Sequence, residues 1–225
     1  MAARYLSFAP WILHVVADEE LVLLDARSNR FLLFGRDTTG EIVAAVEGQP
    51  KSPLVEALLA EGALQSAPSM ISLNRSRAAG LDDFTWSESV RYKTLYHASC
   101  PSTREVLAAG LSLAKACLLL KCVSLCRLLR RDHSSLASSA PAKSIVDLEI
   151  TALLRATRWL PCKIACLEFS LALRERLAHH GVNGTVEIGV QKYSFMAHAW
   201  LEVNGQPLGE PEHVARSLHR LRGTQ

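Results

Sequence analysis

"SFMAHAWLEVNGQPLGEP", Ser194 to Pro211, decides the fold, because it sets a His inside a strand-forming run, follows it with an Asn-Gly turn signal, and places an acid twelve residues beyond the His. Alternation puts His198, Trp200 and Glu202 on one face of this strand and Ala199 and Leu201 on the other. Glu202 shares the face of His198, yet four strand residues span about 13 Å, so the two cannot hydrogen-bond within one straight strand. Glu210 can reach the imidazole only through a hairpin. A two-residue Asn204-Gly205 turn would pair Ala199 with Glu210 and put the acid on the wrong face. A three-residue Val203-Asn204-Gly205 loop closed by a G1 bulge would pair His198 with Glu210 directly, and this is the conformation expected if the two side chains meet.

Upstream, "GTVEIGVQ" reads as a partner strand. It is preceded by a helix from Pro161 to His179, a helix near Ile145 to Arg158, and a helix from Thr103 to Arg131. Helices followed by strands predict an α+β domain. In the longest helix Lys115, Lys121 and Arg127 step round by about 240° each, which predicts an enclosed helix with snorkelling cations. Two lysines interrupt its apolar run, Val106 to Cys126, so no transmembrane segment is expected.

The first fifty residues differ in character. "WILHVVA", "ELVLLDA" and "RFLLFG" form a three-stranded meander, and two short helices follow, one capped by Asp37 or Thr38 and stopped at Gly48, the other running from Ser52 and Pro53 to Gly62. Residues 1–66 carry nine acids against five bases, net −4, leaving +7 on the remainder. This predicts a domain at 1–66, a linker at 67–84 and a second domain at 85–225, with another weak point at "HSSLASSAPA", His133 to Ala142. "GRDTTGEI" has phosphate-loop glycine spacing but puts Glu41 where a Lys belongs, which argues against phosphate.

Thiol nucleophiles need an ionisable sulfur, a His and a third group to orient that His. Cys162 and Cys166 both lie early in the helix expected after Pro161, where the dipole favours a thiolate, and at four residues' spacing they share a face; periodicity alone does not choose between them. Cys117, Cys122 and Cys126 read as helix packing, and all six cysteines as reduced thiols in a cytoplasm, with no signal peptide. His179 and His180 suit a helix C-terminus, and His213 and His219 a basic tail. No C-x-x-C or H-E-x-x-H spacing occurs, so no metal is expected.

The run from Cys166 to Gly205, "CLEFSLALRERLAHHGVNGTVEIGVQKYSFMAHAWLEVNG", resembles the C-terminal domain of the B proteins of lasso-peptide biosynthesis, leader peptidases of a transglutaminase-like cysteine protease superfamily. The resemblance covers about the last 70 residues, carried by the Cys-Leu helix start, "IGV", and "HAW" with "EV" after it. It implies a papain/transglutaminase-like domain with a catalytic helix packed on an antiparallel sheet, and a Cys-His-Asp triad. That triad carries over to Cys166, His198 and the twelfth residue past the His, which here is Glu210 instead of Asp.

The first 66 residues resemble the winged-helix-like leader-recognition domain of peptide-modifying enzymes. This implies that a precursor leader adds a strand along Arg30, Phe31, Leu32, Leu33 and Phe34, with Val55, Leu58 and Leu59 of the neighbouring helix supplying apolar pockets. A winged-helix nucleic-acid binder should be basic, and this segment is net −4. The implied partners are a lasso precursor peptide and an asparagine-synthetase-like cyclase, with ATP needed by the pathway although no nucleotide motif is visible here. The implied activity is hydrolysis of the leader–core bond; the alternatives are a non-catalytic leader-binding adaptor and a transglutaminase acting through the same Cys and His.

Overall fold

The computed structural model describes residues 5–49, 52–81, 100–130 and 142–223. They gather into two compact units, the first made of the chain up to Ala78 with Lys192–Ser194 and the residues from His219 onward, the second of Ala79–Gln191 and Phe195–Leu218.

In the first unit β1 (Tyr5–Phe8) is followed by the meander β2 (Ile12–Ala17), β3 (Glu20–Asp25) and β4 (Arg30–Leu33), then α1 (Arg36–Val46), α2 (Pro53–Ala60), β5 (Leu64–Ala67) and β6 (Arg75–Ser76). Asp18 and Glu19, both at positive φ, make the tight turn that pairs Ala17 with Glu20. Asp25 shapes the next turn by accepting the Arg27 N–H and the Ser28 hydroxyl, each at 2.9 Å. Leu6, Phe8, Ile12, Val16, Leu21 and Leu23 pack with Ile42, Val46, Val55 and Leu58 of the helices into one core.

Two features of this unit depart from expectation. The cap of α1 is Gly35, not Asp37 or Thr38; the Thr39 hydroxyl instead accepts the Leu21 N–H at 2.8 Å, which ties the helix to β3. The segment expected as a structureless linker contributes the end of β5, which pairs with β1, and all of β6, which runs parallel to β2. Asn74 holds that segment by donating its backbone N–H to His14 Nε2 at 3.1 Å and its side-chain amide to the carbonyls of His14 and Arg220.

The second unit contains α3 (Thr103–Cys122), α4 (Leu125–Arg130), α5 (Lys143–Thr157), α6 (Cys166–Ala178), β7 (Thr185–Gln191), β8 (Met196–Val203), β9 (Gln206–Leu208) and α7 (Glu212–Ser217). β7, β8 and β9 form an antiparallel sheet, and α6 packs along β8 with α3 and α5 against it. The expected single helix from Thr103 to Arg131 breaks at Val123, whose extended backbone ends α3, so Arg127 belongs to a separate helix. Nor is α3 enclosed: Ala109, Ser112, Leu113 and Ala116 face inward, while Leu107, Leu111 and Leu118 are 65%, 73% and 61% exposed. Most of the expected weak point at 133–142, and residues 82–99, lie outside the described residues.

α6 is anchored at its far end by one buried carboxylate. Glu149 of α5 takes both Arg176 Nε at 2.7 Å and Nη2 at 2.9 Å, and His180 Nε2 sits 2.8 Å from the same carboxylate. His180 thus has a specific carboxylate partner beyond the helix dipole. Glu149→Ala would leave a partly buried guanidinium without its carboxylate and should cost on the order of 2 kcal/mol, read as a lowered midpoint in urea unfolding.

His14 gives the first unit a pH-dependent stability. Burial is the larger influence and outweighs the Arg222 carbonyl, holding its pKa down to about 4 against an ordinary 6.5. The unfolded chain therefore binds a proton first, so folding carries no His14 penalty above pH 6.5 and a growing one as pH falls toward 4. The full penalty is on the order of 3 kcal/mol. In denaturation curves between those limits, His14→Gln should lose less stability than wild type on acidification; equal losses would refute the assignment.

Candidate active site

Cys166 of α6, His198 of β8 and Glu210 of the bend after β9 converge in the second unit. Cys166 is the first residue of α6, whose start is set by extended Ala165 and by the Glu168 carboxylate reaching back 3.1 Å to accept the Ala165 N–H. Ala165 offers no side-chain cap, so the first-turn N–H groups beside Cys166 have no side-chain acceptor from the cap position. Cys162 lies outside the helix, in the preceding loop, contrary to the expectation that both cysteines share its opening turns. The helix starts five residues later than the Pro161 signal suggested because Glu168 closes the backbone at Ala165.

Ser170, one helical turn past Cys166, joins this helix to the strand that carries the His. Its hydroxyl lies 2.8 Å from the Cys166 carbonyl and 3.1 Å from the Ala199 carbonyl, and can donate its proton to either. This residue was missed in the sequence, though its spacing of four from Cys166 is the signal that places it over the same turn.

His198 sits mid-β8, opposite Gly189 of β7, and is 2% exposed. Its ring lies 6.0 Å from that of Trp200 at an interplanar angle of 22°, and Trp200 Nε1 donates to Glu202 Oε1 at 2.8 Å. Glu202 therefore serves the indole, a partner the distance argument along the strand did not name. Gly189 is needed because a Cβ there would come within 2.8 Å of two Trp200 ring carbons and of Leu218.

The turn after β8 corrects the expected backbone. Val203 pairs with Gln206 across a two-residue Asn204-Gly205 turn with φ of 52° and 77°, the type I′ conformation, and not across a three-residue loop with a bulge. Continued in that register, Glu210 would lie opposite Ala199 on the wrong face. The ladder instead stops at Leu208, which pairs with Leu201, and Gly209 at φ 69° turns the chain out of it. Glu210 is buried and its Oε1 reaches 3.4 Å from His198 Nε2.

The electrostatics reflect this convergence. Burial acts most strongly on His198 and disfavours its charged form. A hydrogen bond with the Cys166 thiol, then the hydrogen bond and negative charge of Glu210, together overcome it and leave the pKa above the ordinary value. With Nε2 turned to the carboxylate, Nδ1 is the nitrogen left for the thiol.

Other expected site residues fall elsewhere. Arg30, Phe31, Leu32 and Leu33 form β4, an edge strand among the described residues, with Leu32 and Leu33 38% and 45% exposed. Phe34 lies beyond the strand; its N–H donates to the Leu21 carbonyl, and its own carbonyl accepts from Lys192 Nζ. Val55 and Leu58 are buried in the core of the first unit, so they do not line an apolar pocket for a peptide; Leu59 is half-buried. His219, expected in a basic tail, is buried in the first unit, 3.8 Å from Asp18. Among the described residues no group of three His, Cys, Asp or Glu could hold a metal, and no helix is long and apolar enough to cross a membrane.

A family model described as transglutaminase-like superfamily matches residues 107–222, just over half the chain. No curated protein and no solved structure matches. The chain belongs to the transglutaminase-like superfamily, a protease-like, cysteine-hydrolase type of fold that includes cysteine peptidases. The match takes in α5 and all but the first four residues of α3, so these helices are part of the family domain.

Removing the negative charge while keeping the shape should expose the balance at His198. Glu210→Gln takes away an influence that raises the imidazole pKa, and its titration followed by NMR should move to lower pH. An unmoved titration would mean that the carboxylate is not coupled to the ring.

Proposed function

We propose that the chain is a leader peptidase acting on a lasso-peptide precursor. The observation that carries this reading is the meeting of Cys166, His198 and Glu210 in a domain of a superfamily that includes cysteine peptidases. Cys166 attacks the carbonyl of the leader–core bond, its proton passing to His198; His198 returns that proton to the departing core amine, leaving a thioester that water hydrolyses. Glu210 holds the imidazole and balances its charge in the cationic form. The N–H groups at the uncapped start of α6 are suited to a developing oxyanion, the Cys166 N–H among them.

Leader capture belongs to the first unit in this reading. The outer edge of β4 offers backbone groups to an added strand, and the exposed Leu32 and Leu33 offer apolar contact. Binding energy gathered there orients a bond that the thiol site alone would select poorly. The freed core amine passes to an ATP-using, asparagine-synthetase-like cyclase.

A precursor cleavage assay under reducing conditions, with the cyclase present, tests the reading. Cys166→Ala should abolish cleavage and keep leader binding, Cys162→Ala should change neither, and Glu210→Gln should lower kcat by roughly 10²-fold or more. Leu33→Asp should weaken leader binding by about tenfold or more, with kcat at saturating precursor retained. Leader binding without cleavage in wild type would make the chain an adaptor, and an amine cross-linked product in place of two fragments would make it a transglutaminase.

A further inference from the structure

Outside the site just described, Cys117 of α3 and Cys162 of the loop before α6 face one another, with their sulfurs 3.7 Å apart across 45 residues of sequence. Both are free thiols here. Cys162 is exposed and its flanking residues Pro161 and Lys163 are exposed as well, so the loop has room to move. A disulfide needs a sulfur separation of about 2.05 Å, a closure of less than 2 Å from the observed contact. We propose that Cys117 and Cys162 form a reversible dithiol–disulfide site, oxidised by a hydroperoxide and reduced by a dithiol.

The two sulfurs have different roles. Burial, the hydrogen bond with Cys162 and the nearby Glu168 carboxylate push the Cys117 thiol up to about 11, against an opposing pull from Lys121. Cys117 is thus poorly suited to open the reaction, and exposed Cys162 is the first attacker. Its thiolate attacks a peroxide oxygen, the O–O bond breaks, and the distal oxygen leaves as water after taking a proton. Cys162 becomes a sulfenic acid. The Cys117 sulfur then displaces that hydroxyl as a second water, and the S–S bond forms. Two thiols and one hydrogen peroxide give one disulfide and two waters, the two electrons passing from sulfur to oxygen.

The bridge ties α3 to a residue four positions before Cys166, in the loop whose end is held by Glu168. The site is independent of the peptidase reading, since neither sulfur belongs to the Cys166–His198–Glu210 cluster.

The experiment treats the full chain with one equivalent of hydrogen peroxide, alkylates the remaining thiols, and maps proteolytic fragments by mass spectrometry. A fragment joining Cys117 to Cys162 and lacking two hydrogens, lost again on treatment with dithiothreitol, is expected. The bridged chain should also melt at least about 3 °C higher than the reduced one. Cys117→Ser should stop at Cys162 sulfenic acid, trapped by dimedone, and Cys162→Ser, a change in an exposed loop, should show no bridge to Cys117. Joining of Cys162 to Cys166, or oxidation of Cys162 to sulfinic acid with Cys117 left as a free thiol in wild type, would overturn the proposal.

Discussion

The geometry around His198 depends on one backbone event, the exit of the chain from the β8–β9 ladder at Gly209. A ladder fixes side-chain direction with a period of two, so a two-residue turn at Asn204-Gly205 commits every later residue of β9 to a face. That commitment would set Glu210 away from the imidazole. Gly209, at φ 69°, ends it in one residue, a conformation that side-chain-bearing residues adopt only at a cost. The buried pair of Glu210 and His198 follows from this release.

The other partner needs a different kind of constraint, because Cys166 begins a helix whose first turn could fray. Its position is held from both ends. Ser170 joins the first turn to the carbonyls of Cys166 and Ala199, and Glu149 grips Arg176 and His180 at the last turn through α5. Beneath the His, Trp200 is fully buried against Val214, Ala215 and Leu218 and occupies space that Gly189 leaves open. The imidazole thus stands on a packed indole whose own N–H is satisfied by Glu202.

How much of this was legible follows from the range of each interaction. The strands around His198 and the short helices near the N-terminus come from local periodicity, and the two-strand register of β7 and β8 follows from it. The faces of His198, Trp200 and Glu202 were readable too, because alternation is a local property. The turn was not, since Asn-Gly satisfies both loop lengths, and the expectation of direct pairing with Glu210 chose the wrong one. The start of α6 was misread because Pro161 signals a helix, whereas the carboxylate that sets the boundary, Glu168, acts from inside it. The burial of Val55 and Leu58 was hidden for a similar reason: an apolar helix face looks the same whether it meets its own sheet or a peptide.

The identity of the acid fits the backbone that carries it. The resemblance implies an Asp at this position, and an Asp on a strand paired directly with the His would have the shorter reach it needs. Glu210 approaches instead from beyond the end of β9, after the bend at Gly209, and its carboxylate still stands 3.4 Å from Nε2. Removing one methylene would withdraw the oxygen by about 1.5 Å, beyond ion-pair range from the same backbone. The longer side chain and the two-residue turn are therefore coupled: the turn places the chain too far round for Asp, and the extra carbon of Glu restores the contact. In this arrangement the reach of the Glu210 side chain suits the two-residue turn, and its carboxylate stands close enough to act on the imidazole.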